Sequence, residues 1–194
     1  MELVKINEID FTKIEAFTCS LYEKGLKYFN EEALTLHNKL ERMTYVLITN
    51  TIDSESYEII GFFTYSFELA KMAKSTKIKL GLPMSKRYLS LYLNYFMLDD
   101  KYKGKMINGK VLYSTILMFH FFDLAIDMIE LLPAPLITLH SLYDVELVYK
   151  RFDFVYLRNE GLTSYYAMRT NYIKQLISYN TNNIYFNELH KNSL

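Results

Sequence analysis

Cysteine is almost absent from this sequence, because Cys19 is the only one among 194 residues. A single thiol cannot form a disulfide within the chain, which excludes the disulfide-rich scaffolds of small secreted domains. A lone thiol is typical of a reducing compartment, so we expect a cytoplasmic protein. Cys19 also has no histidine near it in the sequence, which makes it a poor candidate for a catalytic nucleophile.

Net charge is missing as well. Lys and Arg together number 22, and so do Asp and Glu. Proteins that bind nucleic acid usually carry a strong positive excess, so any site for a polyanion must be local here. The N-terminal residues include acids and no apolar run, from which we expect no secretory signal.

A long, uninterrupted apolar stretch is the third absence. The best candidate, 111–132, is broken by Asp123, Asp127 and Glu130 at helical spacing, which predicts a long helix with one solvated edge. The same stripe includes His120 but lacks the pair of histidines, four residues apart, that a zinc-binding helix usually has. We therefore expect neither a membrane span nor a bound metal.

The first half of the chain predicts a strand, two helices and a hairpin. Asp10 stands where a helix N-cap belongs, and apolar residues follow it at helical spacing. Two later stretches rich in Val, Ile, Thr, Tyr and Phe are separated by polar residues, which is typical of a hairpin. The predicted elements are a strand at 1–7, helices at 11–29 and 31–41, and strands at 43–51 and 57–69.

The second half predicts a strand, a loop, a helix and another strand in succession. The segment 71–87 carries Lys and Arg but no acid, and Gly81 and Pro83 should prevent regular structure in it. An apolar run at 88–98, ended by two aspartates, is typical of a buried central strand. Further predictions are a loop at 101–110, a helix to about 131 stopped by Pro133 and Pro135, a strand at 136–142, a helix at 144–152 capped by Asp144, a strand at 164–170 and a short helix with a frayed end beyond 171.

The order of these elements predicts the α/β class, with a mixed sheet of about six or seven strands flanked by helices. We expect one domain over 1–170 and a C-terminal helix or tail over 171–194. The loop before the long helix is suited to an anion, since helix N-terminal N–H groups attract phosphate and four lysines in the loop add positive charge. A solvated basic turn before an ordinary helix is the alternative.

The stretch YKGKMINGKVL, Tyr102–Leu112, resembles the acyl-CoA loop of the GNAT acyltransferase superfamily. The family pattern is a basic residue or Gln, two residues, Gly, one residue, then Gly or Ala. Lys103 matches the basic position, whereas Met106 and Asn108 occupy the small-residue positions, where glycine lets the backbone approach the pyrophosphate. The resemblance implies these cofactor-binding residues: Phe96, Met97, Leu98, Lys103, Gly104, Lys105, Met106, Ile107, Asn108 and Gly109.

A second stretch, VYKRFDF at Val148–Phe154, resembles a FYEKFGF-like segment of the same family. Tyr149 falls on its tyrosine, and the resemblance implies that this phenol acts as general acid and protonates the leaving thiolate. A phenol with a pKa near 10 can donate that proton at neutral pH. A tyrosine packed on a helix face is the alternative. Asp153 replaces the usual glycine, which a left-handed turn can tolerate.

The resemblance extends from Gly61 to Met168, over half of the chain. It implies a GNAT-like sheet and acetyl transfer from acetyl-CoA to an amine by direct attack, without a metal. In this family the backbone at the end of the strand before the loop, here 96–98, binds the acyl carbonyl and pantetheine. Because Met106 and Asn108 depart from the pattern, a GNAT fold without catalysis, acting as a binding or regulatory protein, is the alternative.

The acceptor amine is not specified by these motifs. The strand 88–98 has no carboxylate to serve as base and offers only Tyr92, Asn94 and Tyr95, while His140 is either near the acyl site or structural. An α-amine, largely neutral near pH 8, needs less help, and aminoacyl-tRNA has one. The basic segment 71–87 is similar to a segment of the tRNA-acetylating toxin branch, where lysines would contact phosphates. Whether the chain forms a homodimer is left open by the sequence.

Overall fold

The computed structural model describes residues 1–53, 56–85 and 87–181. Strands and helices follow one another in mixed order along the chain, and two short 3-10 helices, Ile6–Glu8 and Tyr143–Val145, join some of them. The elements are β1 (Glu2–Lys5), α1 (Phe11–Glu15), α2 (Glu23–Glu31), α3 (Ala33–Asn38), β2 (Met43–Ile48), β3 (Ile59–Ala70), α4 (Lys74–Lys79), β4 (Tyr88–Leu98), β5 (Met106–Ile107), β6 (Val111–Leu112), α5 (Tyr113–Leu131), β7 (Leu136–Leu142), α6 (Glu146–Lys150), β8 (Val155–Glu160), β9 (Thr163–Arg169) and α7 (Thr170–Thr181).

Seven strands form one mixed sheet in the order β1-β2-β3-β4-β7-β9-β8. Strands β4 and β7 are parallel, with Ser90–Leu93 paired to Leu136–Leu139, whereas the pairs β1–β2, β2–β3, β7–β9 and β8–β9 are antiparallel. Helix α5 lies between β4 and β7 in the chain and provides the crossover that a parallel pair requires. The predicted α/β class with six or seven strands is confirmed.

The chain divides into two compact units that share the long strands β3 and β4. The first comprises Met1–Tyr65 and Tyr95–Phe121 with the end of α7, and the second comprises Ser66–Asn94 and Phe122–Tyr179. Each has aromatic packing of its own: Phe29 stacks on Phe62 at 4.0 Å between ring centroids in the first unit, and Phe122 packs edge-on against Phe152 at 5.6 Å in the second. Burying one such ring stabilises the fold by about 1.5–3 kcal/mol.

The helix predicted over 11–29 is wrong in its middle, because α1 ends at Glu15 and α2 begins at Glu23. Between them the backbone N–H groups of Thr18 and Ser20 donate to the carboxylates of Asp99 and Asp100, each at 2.8 Å. Backbone donors that bond to side chains elsewhere cannot also form the helical ladder. Helical spacing of the apolar residues did not reveal this competition.

The start of that helix is as predicted. The Asp10 side chain accepts a hydrogen bond from the Thr12 N–H at 2.8 Å, which is the N-cap interaction. Cys19 lies in the break between α1 and α2 and not in a helix. Burial raises the pKa of its thiol, which makes it a weaker nucleophile.

Two further predictions about local structure are wrong, and one strand was missed. The basic segment contains the short helix α4, which Gly81 ends with a φ of 61° while the Leu82 N–H donates to the Lys77 carbonyl at 2.8 Å. Asp144 does not cap α6, since it lies inside the 3-10 turn and Val145 takes the N-cap position. Strand β8 was not predicted, and it pairs with β9 beyond a turn at Gly161.

The central predictions are confirmed. Strands β4 and β7 have the predicted bounds, and α5 ends at Leu131, just before Pro133. The predicted C-terminal helix is α7, whereas the predicted frayed end lies outside the described residues. Within the described ranges, no helix is long and apolar enough to cross a membrane.

Candidate functional site

Asp99, at the end of β4, organises the loop that carries the first predicted motif. Its side chain is buried and accepts hydrogen bonds from the backbone N–H groups of Thr18 and Lys101, both at 2.8 Å. Its carbonyl accepts the Tyr102 N–H at 2.9 Å. One aspartate thus fixes both the start of the loop and the break between α1 and α2. From the sequence it marked only the end of a strand.

The tip of the loop is a small hairpin, β5–β6, where a plain loop was predicted. Asn108 and Gly109 have φ values of 50° and 67°, and the Lys110 N–H donates to the Ile107 carbonyl at 3.0 Å. Positive φ at both central residues is the pattern of a type I′ turn, for which Asn-Gly is the strongest sequence signal. The Asn-Gly pair was therefore the missed clue.

Helix α5 consequently begins after the hairpin, at Tyr113, whose N–H donates to the Lys105 carbonyl at 3.2 Å. A hairpin that contains Met106, Asn108 and Gly109 therefore lies between the first lysines of the loop and the start of α5. A Cβ atom added at Gly104 or Gly109 would meet no atom within 4 Å. These glycines serve the positive φ of the backbone and not close packing.

The charged groups of the loop fall into two sets. Lys101 Nζ lies 3.4 Å from the Glu58 carboxylate, and the Tyr102 hydroxyl donates to the same carboxylate at 2.9 Å. The Tyr102 hydrogen bond, followed by Lys101, lowers the pKa of Glu58 below its usual value. Lys103, Lys105 and Lys110 are exposed, and among the described residues no carboxylate forms an ion pair with them, which suits them to bind an external anion.

The end of β4 provides the second part of the predicted cofactor-binding set. The parallel ladder with β7 ends at the pair Leu93–Leu139, whereas β4 continues to Leu98. The Met97 side chain is buried, and its carbonyl lies so close to Gly61 that a Cβ there would be 2.5 Å from the oxygen. Phe96 and Leu98 are half-buried.

Tyr149, the predicted general acid, lies on α6 and is buried with 6% of its surface exposed. Its ring packs edge-on against Phe154 at 6.0 Å. Burial raises the pKa of Tyr149 well above the usual phenol value, and the nearby Tyr92 adds to the effect. A phenol held in its neutral form retains a proton to donate. Asp153 has a φ of 60°, the left-handed conformation expected for it.

A chain of hydrogen bonds that was not predicted connects three strands of the second unit. The Tyr92 hydroxyl lies 2.8 Å from His140 Nδ1, and His140 Nε2 lies 2.7 Å from Glu160 Oε2. The imidazole stacks on Tyr165 at 4.6 Å. The hydrogen bonds from His140 and Arg158 lower the pKa of the Glu160 carboxyl. Burial raises it, but by less, so the pKa is below its usual value.

A second carboxylate that was not predicted, Glu68, lies in another chain of hydrogen bonds. It comes from β3 and accepts hydrogen bonds from Thr138 Oγ1 at 2.8 Å and from the Tyr165 hydroxyl at 3.1 Å. Ser90 Oγ lies 2.7 Å from Thr138 Oγ1 and extends the chain to β4. The alternation of side chains along β3 predicts on which face of the sheet Glu68 lies. Its contacts with Thr138 and Tyr165 depend on the order of the strands in the sheet, which the alternation does not predict.

Comparison with known proteins was informative only at the level of structure. No protein-family model matches the chain, and a search of curated proteins finds no significant match. A tyrosine-to-phenylalanine variant of KacT superimposes with a TM-score of 0.73 and 17% identity, covering 90% of this chain and 98% of that one. The AtaT toxin bound to the C-terminus of the antitoxin AtaR and acetyl-CoA gives 0.71 and 15%, covering 91% and 97%.

A third structure, AtaT complexed with acetyl-methionyl-tRNAfMet, gives a TM-score of 0.72 and 16% identity, covering 91% of this chain and 98% of that one. The chain has the GNAT fold of these toxins. The resemblance stated from the sequence is confirmed at the level of fold.

The GNAT fold distributes the predicted residues between the two units. The first unit contains the whole predicted cofactor-binding set, 96–98 and 103–109. The second contains Tyr149, Tyr92 and His140. Among the residues that the structure describes, no group of three His, Cys, Asp or Glu side chains is arranged to hold a metal ion. Glu130, on the solvated edge of α5, instead pairs with Lys174 at 2.9 Å.

Proposed function

We propose that this protein is an acetyl-CoA-dependent N-acetyltransferase. The observation that carries the proposal is the likeness in fold, over 91% of the chain, to a toxin solved with acetyl-CoA bound. Two features of the chain support it independently of the fold. Three exposed lysines, which form no ion pair with a carboxylate of the described residues, lie in the loop that resembles the acyl-CoA loop. Tyr149, the tyrosine for which the resemblance implies the role of general acid, is a buried phenol.

In the proposed reaction, Lys103 and Lys105 bind the pyrophosphate of acetyl-CoA, and the backbone of 96–98 holds the acyl carbonyl and pantetheine. The nitrogen lone pair of the acceptor attacks the thioester carbon. The C–S bond then breaks, its electron pair goes to sulfur, and Tyr149 donates its hydroxyl proton to the departing thiolate. Tyr149 is buried and protonated at neutral pH, as a proton donor must be.

We further propose that the acceptor is the α-amine of an aminoacyl-tRNA. One of the solved neighbours is complexed with acetyl-methionyl-tRNAfMet, which is the product of such a transfer. In this chain, Lys71, Lys74 and Lys79 of the basic segment are exposed, so their charges are available to RNA phosphates. Lys77 differs, since its Nζ donates to the Ser85 carbonyl at 2.6 Å.

The first test is the melting temperature of the purified protein with millimolar acetyl-CoA, and with ATP as control. A ligand at a hundred times its dissociation constant stabilises by about 2.7 kcal/mol, which for a chain of this length corresponds to a rise of about 5–10 °C. We expect that rise with acetyl-CoA alone. Transfer of radiolabelled acetyl groups to a pool of charged tRNA then tests the acceptor, with uncharged tRNA as control.

A second candidate, a GNAT fold that binds a partner without catalysis, is favoured by one observation. Residues 106–112 form a hairpin, and Met106, with 52% of its surface exposed, stands where the family pattern has a small residue. Equal melting temperatures with and without acetyl-CoA, together with no acetyl transfer, would replace the first proposal by this one.

A further inference from the structure

The structure contains a chain of hydrogen-bonded polar side chains to which the proposed reaction assigns no role. Tyr92, His140 and Glu160 come from β4, β7 and β8 and are connected by contacts of 2.8 and 2.7 Å. All three belong to the second unit, which also contains Tyr149. Contacts this short between neutral and charged partners are strong hydrogen bonds.

The contact with Glu160 determines the role of His140 Nε2. Glu160 is a carboxylate and can only accept, so His140 Nε2 must be the donor. In the neutral imidazole Nδ1 is then an acceptor, and the Tyr92 hydroxyl donates to it. The order is that of a nucleophile, base and orienting acid in hydrolases, with a phenol in the first place.

Strand register places the phenol at the right point of the sheet. Tyr92 pairs with Thr138, and the next pair, Leu93–Leu139, is the last of the parallel ladder. Tyr92 is half-buried, and its hydroxyl contacts His140 Nδ1 at 2.8 Å. The electrostatic effect of Tyr92 on Tyr149 agrees with two neighbouring phenols.

We propose that Tyr92, His140 and Glu160 form a proton relay that takes the proton lost by the acceptor amine. This inference rests on the proposed acetyl transfer and supplies the base that β4 lacks as a carboxylate. Tyr92 is the catalytic residue of the relay, because its oxygen contacts the amine. His140 and Glu160 are positioning residues that act through it.

The proton balance of the step closes within the protein. As nitrogen bonds to the acyl carbon, Tyr92 oxygen accepts the N–H proton and passes its own to His140 Nδ1. The imidazolium so formed is paired with the Glu160 carboxylate. Tyr149 meanwhile gives its proton to the thiolate, and the proton held on His140 returns through Tyr92 to the Tyr149 phenolate. The products are the acetylated amine and free CoA.

The test compares Tyr92→Phe and His140→Gln with the wild-type chain, using radiolabelled acetyl-CoA and a pool of charged tRNA. We expect kcat to fall about 100-fold in both variants, the lower end for loss of general base catalysis. Stabilisation by acetyl-CoA should be unchanged. Tyr143→Phe is the matched control, since that hydroxyl donates to the Gly161 carbonyl and 48% of the residue is exposed.

The separation of kcat from KM distinguishes a relay from a packing role. His140 faces Tyr92, Tyr165 and Glu160, with Arg158 bound to Glu160. Loss of the relay in His140→Gln should lower kcat and leave KM for acetyl-CoA at the wild-type value. Wild-type kcat in that variant, or a KM that rises as much as kcat falls, overturns the relay.

A nitrogen chemical-shift measurement on the wild-type chain needs neither a variant nor activity. The relay requires His140 to be protonated on Nε2 and bare on Nδ1 at neutral pH. A proton on Nδ1 overturns it, whatever the kinetics. A wild-type chain that gains no stability from acetyl-CoA contradicts the proposed function instead, so the two failures are distinguished.

Discussion

The loop 101–110 and the chain Tyr92–His140–Glu160 are held in place by different means. The loop 101–110 is exposed, and its shape depends on backbone bonds to Asp99 and on a tight turn at Asn108 and Gly109. In the chain Tyr92–His140–Glu160, Tyr92 and His140 are half-buried and Glu160 is exposed, and side-chain bonds of 2.7–2.8 Å connect the strands. A loop of the first kind can bind charge and accept substitutions, whereas a chain of the second kind fails when one member is removed.

The largest expected effect tests whether Tyr149 acts in catalysis and not in the binding of acetyl-CoA. Tyr149→Phe removes the proposed acid and keeps the buried ring, so kcat should fall about 10²–10⁴-fold. The melting-temperature rise with acetyl-CoA should stay at the wild-type value. Tyr156→Phe, at a tyrosine with 44% of its surface exposed, is the matched control. If the variant lost both kcat and the melting-temperature rise with acetyl-CoA, Tyr149 would be a residue that binds acetyl-CoA.

The next effect concerns β3, where Gly61 packs against the backbone of Met97. In Gly61→Ala the new Cβ would lie 2.5 Å from the Met97 carbonyl oxygen, and backbone atoms can move little to relieve this contact. Overpacking of this kind costs about 1–3 kcal/mol of unfolding free energy. Because Met97 is in the predicted cofactor-binding set, KM for acetyl-CoA should rise too. A denaturation midpoint equal to that of the wild type would show that β3 and β4 move apart at this point without loss of unfolding free energy.

A smaller effect is expected from the lysines of the loop. Lys103→Ala and Lys105→Ala each remove one exposed charge, so KM for acetyl-CoA should rise about two- to fivefold with kcat unchanged, and added salt should reduce the difference. Lys27→Ala, in an exposed pair with Glu31, is the control. Should the control raise KM as much as the loop variants, general charge and not the loop would be responsible.

The same contrast explains what could be predicted from the sequence. The bounds of β4 and β7, the end of α5 before Pro133 and the Asp10 cap follow from local pattern, and all are observed. The break at Thr18 could not be predicted, because its N–H donates to Asp99, a residue far along the chain. Short-range patterns describe elements, and distant partners decide where some elements end.

The candidate site follows the same rule. The loop and Tyr149 lie in continuous stretches of sequence that carry a motif, so they could be proposed before the structure was known. His140 acquires its partners from β4 and β8 only through strand order, as Glu68 does through β3, β7 and β9. No spacing in the sequence encodes those contacts.

The smallest expected effect concerns Met106, the residue that departs most from the family pattern. Met106→Gly should tighten acetyl-CoA binding about threefold, measured as a larger melting-temperature rise, because glycine both removes the side chain and permits close backbone approach. Met106→Ala separates the two causes, since alanine removes most of the side chain but keeps the Cβ. Equal gains in both variants indicate steric obstruction, and a gain in glycine alone indicates a backbone requirement. Weaker binding in both would mean that the half-exposed Met106 contacts acetyl-CoA, and that the hairpin holds the ligand differently from the glycine-rich loops it resembles.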